Sequence, residues 1–138
     1  MTIKGGCLCG AVRYETAAEQ AFAGHCHCME CRKESGTGHL SLLAVTEESF
    51  SVAGDVTLFK RVGDSGKTIT RAFCSKCGST VYAIPETMPG ICMIRAGTMD
   101  DPEQFKPGMS IYASRRPSWD KLDETIPSFA DMPPSDPQ

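Results

Sequence analysis

Eight cysteines constrain this chain more than any other feature of its sequence. Seven of them fall into three clusters and one stands alone: Cys7-x-Cys9, Cys26-x-Cys28-x-x-Cys31, Cys74-x-x-Cys77 and the single Cys92. Clustered cysteines have two ordinary explanations, a disulfide framework or metal ligation. The rest of the sequence decides between them.

The expected redox compartment favours metal. The first ten residues lack a basic segment followed by an apolar one, so the sequence predicts no secretory signal. We therefore expect a cytoplasmic, reducing environment, in which clustered thiols are usually metal ligands. Cysteines two positions apart in a strand also project from the same face, which places them badly for bridging each other.

Length and charge exclude several classes of protein. The chain has 138 residues, the size of one ordinary domain, and 41% of them are hydrophobic. Its best apolar stretch, residues 40–45, is far shorter than the roughly 20 residues of a membrane helix. A formal net charge of −3 argues against a nucleic-acid or anionic membrane surface. We expect neither partner, and the sequence leaves the oligomeric state open.

Short β-prone runs separated by turn signals predict a mainly β fold. The runs are residues 11–15, 39–46, 56–62, 68–73, 80–84 and 91–96. A helical turn is expected at residues 29–34, closed by Gly36, and a second short helical piece at residues 100–103. We expect a single domain of short antiparallel strands with little helix over residues 1–130, and a disordered tail over residues 131–138.

The clustered cysteines divide into a group of four and a group of three, because a closed tetrahedral thiolate site takes four ligands. The three that share one short segment can chelate an ion at little loop-closure cost, which leaves two pairs to meet across the sequence. We call these groups the trio (Cys26, Cys28 and Cys31) and the quartet (Cys7, Cys9, Cys74 and Cys77). Both quartet pairs precede a glycine, Gly10 or Gly78, which permits a tight turn with N–H groups directed at the thiolates. We predict that the quartet holds a structural zinc ion.

The trio offers only three ligands, and two arrangements are open for it. Catalytic zinc sites commonly have three protein ligands and leave the fourth position to water or substrate. A histidine could instead close the site, since His25 and His27 alternate with its cysteines and His39 follows shortly after them. Zinc on three thiolates is a weak Lewis acid, poorly suited to hydrolysis and well suited to holding a thiolate substrate.

Residues outside the clusters receive simpler interpretations. An anionic thiol substrate would need basic residues near the trio; the candidates are Arg32, Lys33, Arg95, Arg115 and Arg116. Cys92 lies in an apolar, strand-like run and is expected to be a buried, inert thiol. Trp119, the only tryptophan, is expected to be a packing anchor, with the wall of a ligand pocket as the alternative.

The order of the motifs resembles that of a known family. The matching segments are Gly5-Gly6-Cys7-Leu8-Cys9-Gly10-Ala11-Val12-Arg13-Tyr14, His25-Cys26-His27-Cys28 with Cys31-Arg32 and Ser35-Gly36, Phe73-Cys74-Ser75-Lys76-Cys77-Gly78-Ser79, Ala96-Gly97-Thr98-Met99-Asp100-Asp101-Pro102, and Arg116-Pro117-Ser118-Trp119. From residue 3 to about residue 129, the chain resembles the glutathione-dependent formaldehyde-activating enzyme (GFA) family, also called the centromere protein V/GFA domain.

The resemblance implies a zinc-bound β fold of the β-tent type. It implies a structural zinc on the quartet and a catalytic zinc with an open position on the trio, hence two Zn²⁺ per chain. It also implies a carbon–sulfur lyase run formally in reverse, which adds glutathione or another thiol to formaldehyde or a small aldehyde and gives S-hydroxymethylglutathione in the prototype. The alternative is a non-catalytic zinc-binding module that binds a protein or carries metal.

Overall fold

A computed structural model describes residues 2–17, 19–63 and 65–133. Strand residues make up 42% and helical residues 15%, which confirms the predicted mainly β fold. In chain order, the strands within those ranges are β1 (Ile3–Gly6), β2 (Arg13–Thr16), β3 (Phe22–Cys26), β4 (Leu40–Thr46), β5 (Phe50–Ala53), β6 (Val56–Val62), β7 (Thr68–Cys74), β8 (Thr80–Pro85), β9 (Ile91–Arg95) and β10 (Met109–Ile111). The same ranges contain one α-helix, α1 (Met29–Ser35), and four 3-10 turns, at Glu47–Ser49, Ala96–Thr98, Pro102–Gln104 and Ala113–Arg115.

The chain forms two compact units. The first comprises Met1–Phe22 and Leu43–Phe105, and the second comprises Ala23–Leu42 and Lys106–Gln138. The single domain over residues 1–130 and the disordered tail over residues 131–138 stay predictions. Of that tail, residues 134–138 lie outside the described part of the chain.

The first unit is built from antiparallel strands. In one sheet β2 lies between β1 and β5, with Tyr14 opposite both Gly5 and Val52. Strands β6, β7, β8 and β9 pair in sequence order, each antiparallel to the next. Val81 and Ile94 are fully buried in this unit. Two of its hairpin connections, β1–β2 and β7–β8, carry the quartet.

The second unit places a helix directly after a strand. β10 pairs with β3 in parallel, with Ile111 opposite Cys26, a departure from the antiparallel expectation. α1 follows, and its N-cap is Cys28, whose Sγ accepts a hydrogen bond from the N–H of Cys31 at 3.3 Å. The helix ends at Gly36, which has a left-handed φ of 74° that suits glycine. The predicted helical turn and its closing glycine are confirmed.

Local patterns located some strands and missed others. The predicted run at residues 56–62 coincides with β6, whereas β1, β3, β5 and β10 were not predicted. β1 contains Gly5, where a side chain would collide with the hydroxyl of Tyr14. Tertiary packing therefore requires glycine in this strand, and the low β-propensity of glycine hides the strand from a reading of the sequence. Cys92 is fully buried, as expected. Trp119 is 65% exposed, so its prediction as a packing anchor is wrong: the residues around it leave the ring in solvent.

None of the helices in the described ranges is long and apolar enough to cross a bilayer.

Candidate metal centres

The quartet sulfurs converge where two hairpins turn. Cys7 and Cys9 lie between β1 and β2, while Cys74 ends β7 and Cys77 follows it in the turn to β8. All four Sγ atoms lie within 4.8 Å of one another, with 3.6 Å between Cys7 and Cys9 and 3.7 Å between Cys9 and Cys74. Sulfurs at the corners of a tetrahedron around zinc, each at about 2.3 Å from the ion, are about 3.8 Å apart. The quartet therefore fits a zinc ion.

The turns also supply hydrogen bonds to the quartet sulfurs. The N–H of Val12 donates to Cys7 Sγ at 3.2 Å, and the hydroxyl of Ser79 lies 3.2 Å from Cys77 Sγ. This hydroxyl, together with the backbone of Ser79, lowers the pKa of Cys77 to about 5. The glycine after each pair has a φ of 82° or 79°, which glycine adopts without strain. The predicted tight turns with donors directed at thiolates are present.

The trio lies within the second unit. Its three Sγ atoms are within 4.8 Å of one another, and all three cysteines are buried. Hydrogen bonds from Cys26 and Cys31 lower the pKa of Cys28 to about 2, while the bond to Cys28 raises the pKa of Cys26 to about 12. Thiols this close cannot all ionise unless a cation compensates their charge. The trio therefore has the donor set of a metal site.

The histidines near the trio are engaged elsewhere. The convergent ligand atoms at the trio are three sulfurs, with no ring nitrogen from the described residues among them. His25 Nδ1 lies 2.8 Å from Ser41 Oγ. His27 Nδ1 lies 2.7 Å from Asp120 Oδ2, and His39 Nδ1 lies 2.9 Å from Asp120 Oδ1. These bonds engage Nδ1 only, and it is the absence of a ring nitrogen of the described residues from the sulfur cluster that gives the trio three ligand atoms rather than four.

His27, His39 and Asp120 form a third cluster, which we call the His–Asp–His cluster. Its ligand atoms lie within 4.8 Å of one another, and the side chains of His27 and Asp120 are only 2% and 8% exposed. Burial raises the pKa of Asp120, but hydrogen bonds from His39 and His27 outweigh it and lower the pKa overall. An ionised carboxylate only accepts, so both histidines carry their proton on Nδ1. The N···O distances are those of hydrogen bonds, and this cluster needs no ion to account for them.

Sequence reasoning missed Asp120. It stands 93 residues from His27, and no spacing motif joins the two. One indirect signal exists in Gly38, where an added Cβ would lie 2.5 Å from Asp120 Cγ. A glycine required by close packing cannot be recognised in one sequence before its neighbour is known.

The basic candidates occupy different places. Arg32 and Lys33 lie in the last turn of α1, and Arg95 is buried in the first unit. Arg115 and Arg116 follow β10 in the second unit, which also contains the trio, and both are exposed.

A family model and one curated relative indicate the family of this chain. The chain matches the model of the glutathione-dependent formaldehyde-activating enzyme family over residues 2–115. It is 26% identical, over 129 residues, to a Halomonas elongata protein named provisionally as such an enzyme, covering 89% of this chain and 82% of that protein. It is 28% identical, over 79 residues, to an uncharacterized lyase of Schizosaccharomyces pombe, covering 57% of this chain and 55% of that protein. A crystal structure of a Rhodobacter sphaeroides protein has a similar fold, with a TM-score of 0.60, 19% identity, and coverage of 91% of this chain and 99% of that one.

Proposed function

Because the chain belongs to the glutathione-dependent formaldehyde-activating enzyme family, we propose that it is a zinc-dependent carbon–sulfur lyase. In the lyase direction it splits the adduct of a small thiol and a small aldehyde, and in the reverse direction it forms that adduct. The name of the Halomonas elongata relative supports glutathione and formaldehyde as the pair. The name of the Schizosaccharomyces pombe relative supports lyase chemistry.

One observation carries this proposal: the trio is buried and has three convergent sulfurs, with no ring nitrogen of the described residues among them. Zinc held there would have three protein ligands and one position for a substrate. We place structural zinc on the quartet, whose two hairpin turns it would tie together within the first unit.

The reaction needs little from the protein beyond binding and orientation. Zinc, when bound, supplies a position at which a thiol ionises near neutral pH. The buried cysteines of the trio would hold the ion as thiolates and leave one position to the substrate. Addition forms one carbon–sulfur bond, and the carbonyl oxygen takes up a proton equivalent to the one the thiol released. No oxidant or reductant is required, and the lyase direction is the reverse of the same step.

The test is the rate at which glutathione and formaldehyde form their adduct, followed by NMR with zinc-loaded protein. Wild type should exceed the uncatalysed rate, and Cys31→Ser should lose this excess because it removes a trio ligand. Cys92→Ala is the matched control, since Cys92 is buried in the first unit and belongs to neither cluster. Equal rates for wild type and Cys31→Ser would contradict the proposal.

A non-catalytic zinc module is the second candidate. Leu58 and Val62, which project from the same face of β6, are 55% and 71% exposed, and exposed apolar side chains on one face of a strand are one way in which a protein surface binds a partner. This second function would be favoured if zinc-loaded wild type did not change the rates of adduct formation and splitting from their uncatalysed values. The result should hold with glutathione and with other thiols, in protein that holds zinc on the trio.

A further inference from the structure

β6 lies at the end of its sheet. Among the described residues it pairs with β7 alone. Backbone hydrogen bonds mark both ends of this pair: the N–H of Gly63 donates to the carbonyl of Lys67 at 2.9 Å, and the N–H of Ser75 donates to the carbonyl of Asp55 at 3.2 Å. In an antiparallel pair, residues that bond to the partner strand alternate with residues that face away from it, so these two bonds fix the pattern along β6. The N–H and carbonyl groups that face away from β7 belong to Val56, Leu58, Lys60 and Val62. We call this row of backbone groups the β6 edge.

Apolar side chains are exposed on both faces of β6. Leu58 and Val62 project from one face, and Phe59, which is 51% exposed, projects from the other. An element packed against one face of the strand would leave the other face in solvent. A strand added at the β6 edge would contact side chains on both faces and would also pair with the outward N–H and carbonyl groups.

Basic side chains accompany the apolar ones. β6 and β7 contain Lys60, Arg61 and Arg71 but neither Asp nor Glu, in a chain with 14 basic and 17 acidic residues. Arg61 and Arg71 form no ion pair with a described residue. The Arg71 guanidinium lies over the rings of Phe59 and Phe73, with its Cζ 5.2 and 5.7 Å from their centroids. A partner with carboxylates would therefore complement the charge beside the β6 edge.

We propose that the β6 edge binds an extended, acidic segment of another protein as an added strand. The side chains of this segment alternate: apolar ones lie beside Leu58 and Val62, and carboxylates lie on the face that carries Arg61 and Arg71. A second copy of this chain fits less well, because pairing two β6 strands would bring the cations of both copies together. A membrane surface offers no backbone groups to pair with the edge. The inference goes beyond the reaction proposed for the trio, which lies in the second unit, and does not depend on it.

Fluorescence anisotropy of a labelled peptide tests this inference with zinc-loaded, full-length protein. The peptide alternates glutamate and valine over seven residues, the length of β6, and its counterpart has lysine in place of each glutamate. The glutamate peptide should bind at least about tenfold more tightly, because the two share an apolar face and only the first complements the cations. Leu58→Pro should weaken its binding by at least about tenfold, since it removes an outward N–H that the ladder to β7 does not use. Leu58→Ala, which keeps that N–H, should lose much less.

A charge reversal gives a second, independent variant. Lys60→Glu should weaken binding of the glutamate peptide by about tenfold. Lys106→Glu, at an exposed lysine of the second unit, makes the same change in net charge and should leave that binding unchanged. If Leu58→Pro loses the zinc content of wild type, Lys60→Glu decides the test.

Four results would overturn the inference while leaving the trio's reaction untouched. They are no binding of the glutamate peptide, equal binding of both peptides, equal losses in Leu58→Pro and Leu58→Ala, and equal losses in Lys60→Glu and Lys106→Glu. Sedimentation of the free protein as a dimer that Leu58→Pro dissociates would assign the edge to a second copy and overturn it as well. Binding to phosphatidylserine vesicles without binding to the peptide would assign the surface to a membrane, with the same consequence.

Discussion

His27 Nδ1 lies 2.7 Å from Asp120 Oδ2, although the two residues are 93 positions apart. His27 stands between Cys26 and Cys28 in the chain, and its backbone N–H is fixed by the carbonyl of Ile111. The trio segment is therefore anchored twice at His27, once through the backbone and once through the ring. We interpret Asp120 as a positioning residue for the trio.

Asp120→Asn should destabilise the protein and weaken metal binding at the trio. The Asp120 carboxylate accepts a hydrogen bond from Nδ1–H of His27 and another from Nδ1–H of His39. The amide of Asn would direct its NH₂ group at one of these donors and leave it unpaired, at a cost of about 1–3 kcal/mol in the free energy of unfolding. Urea unfolding measures the loss, and competition with a chelator should remove zinc from the trio before the quartet. Asp123→Asn is the control, since that exposed carboxylate bonds to Thr125. Wild-type stability and metal retention in Asp120→Asn would refute the positioning role.

Gly38→Ala should disturb the His–Asp–His cluster by crowding Asp120. The new Cβ would lie 2.5 Å from Asp120 Cγ, and relieving that overlap should cost about 1–3 kcal/mol in the free energy of unfolding. Gly97→Ala is a matched control, because nothing lies within 4 Å of a Cβ there. We expect it to change stability by no more than about 1 kcal/mol. Equal stabilities for the two variants would show that Asp120 has room to move.

The sequence predicted what short segments determine and missed what distant residues build. Cysteine spacing was enough to group the trio, because one short segment places its three sulfurs at one turn. The quartet followed because the two remaining pairs together supply the four ligands of a closed zinc site. Gly36 marked the end of α1 for the same local reason. The contact of His27 with Asp120 and the pairing of Ile111 with Cys26 come from tertiary packing between segments that no local pattern connects.

Removing the quartet's metal should destabilise the protein rather than only inactivate it. Cys74→Ser takes one ligand from a site that joins two hairpins, so its melting temperature should fall and its zinc content should drop by about one ion per chain. Cys92→Ala should keep the full zinc content and lose about 1–2 kcal/mol from core packing alone. A Cys74→Ser variant with wild-type zinc and melting temperature would rule out a structural role.

Stability should decline in alkali partly through Tyr14. Burial raises the pKa of this phenol to about 12, and a hydrogen bond with the Thr98 hydroxyl at 2.8 Å only partly offsets that rise. In the unfolded chain the phenol has its ordinary pKa of about 10. The unfolded state therefore loses its proton first, so this contribution is complete below about pH 10 and is lost as pH rises through about 12. Tyr14→Phe should show a flatter decline than wild type in urea unfolding at pH 9 to 12. Parallel curves would contradict the assignment.

Zinc content, measured by elemental analysis of protein purified without added zinc, tests the central claim most directly. Wild type should contain two zinc ions per chain and Cys28→Ser one, with the fold intact, because the trio and the quartet bind independently. Equal zinc content in the two proteins would contradict a separate metal site at the trio.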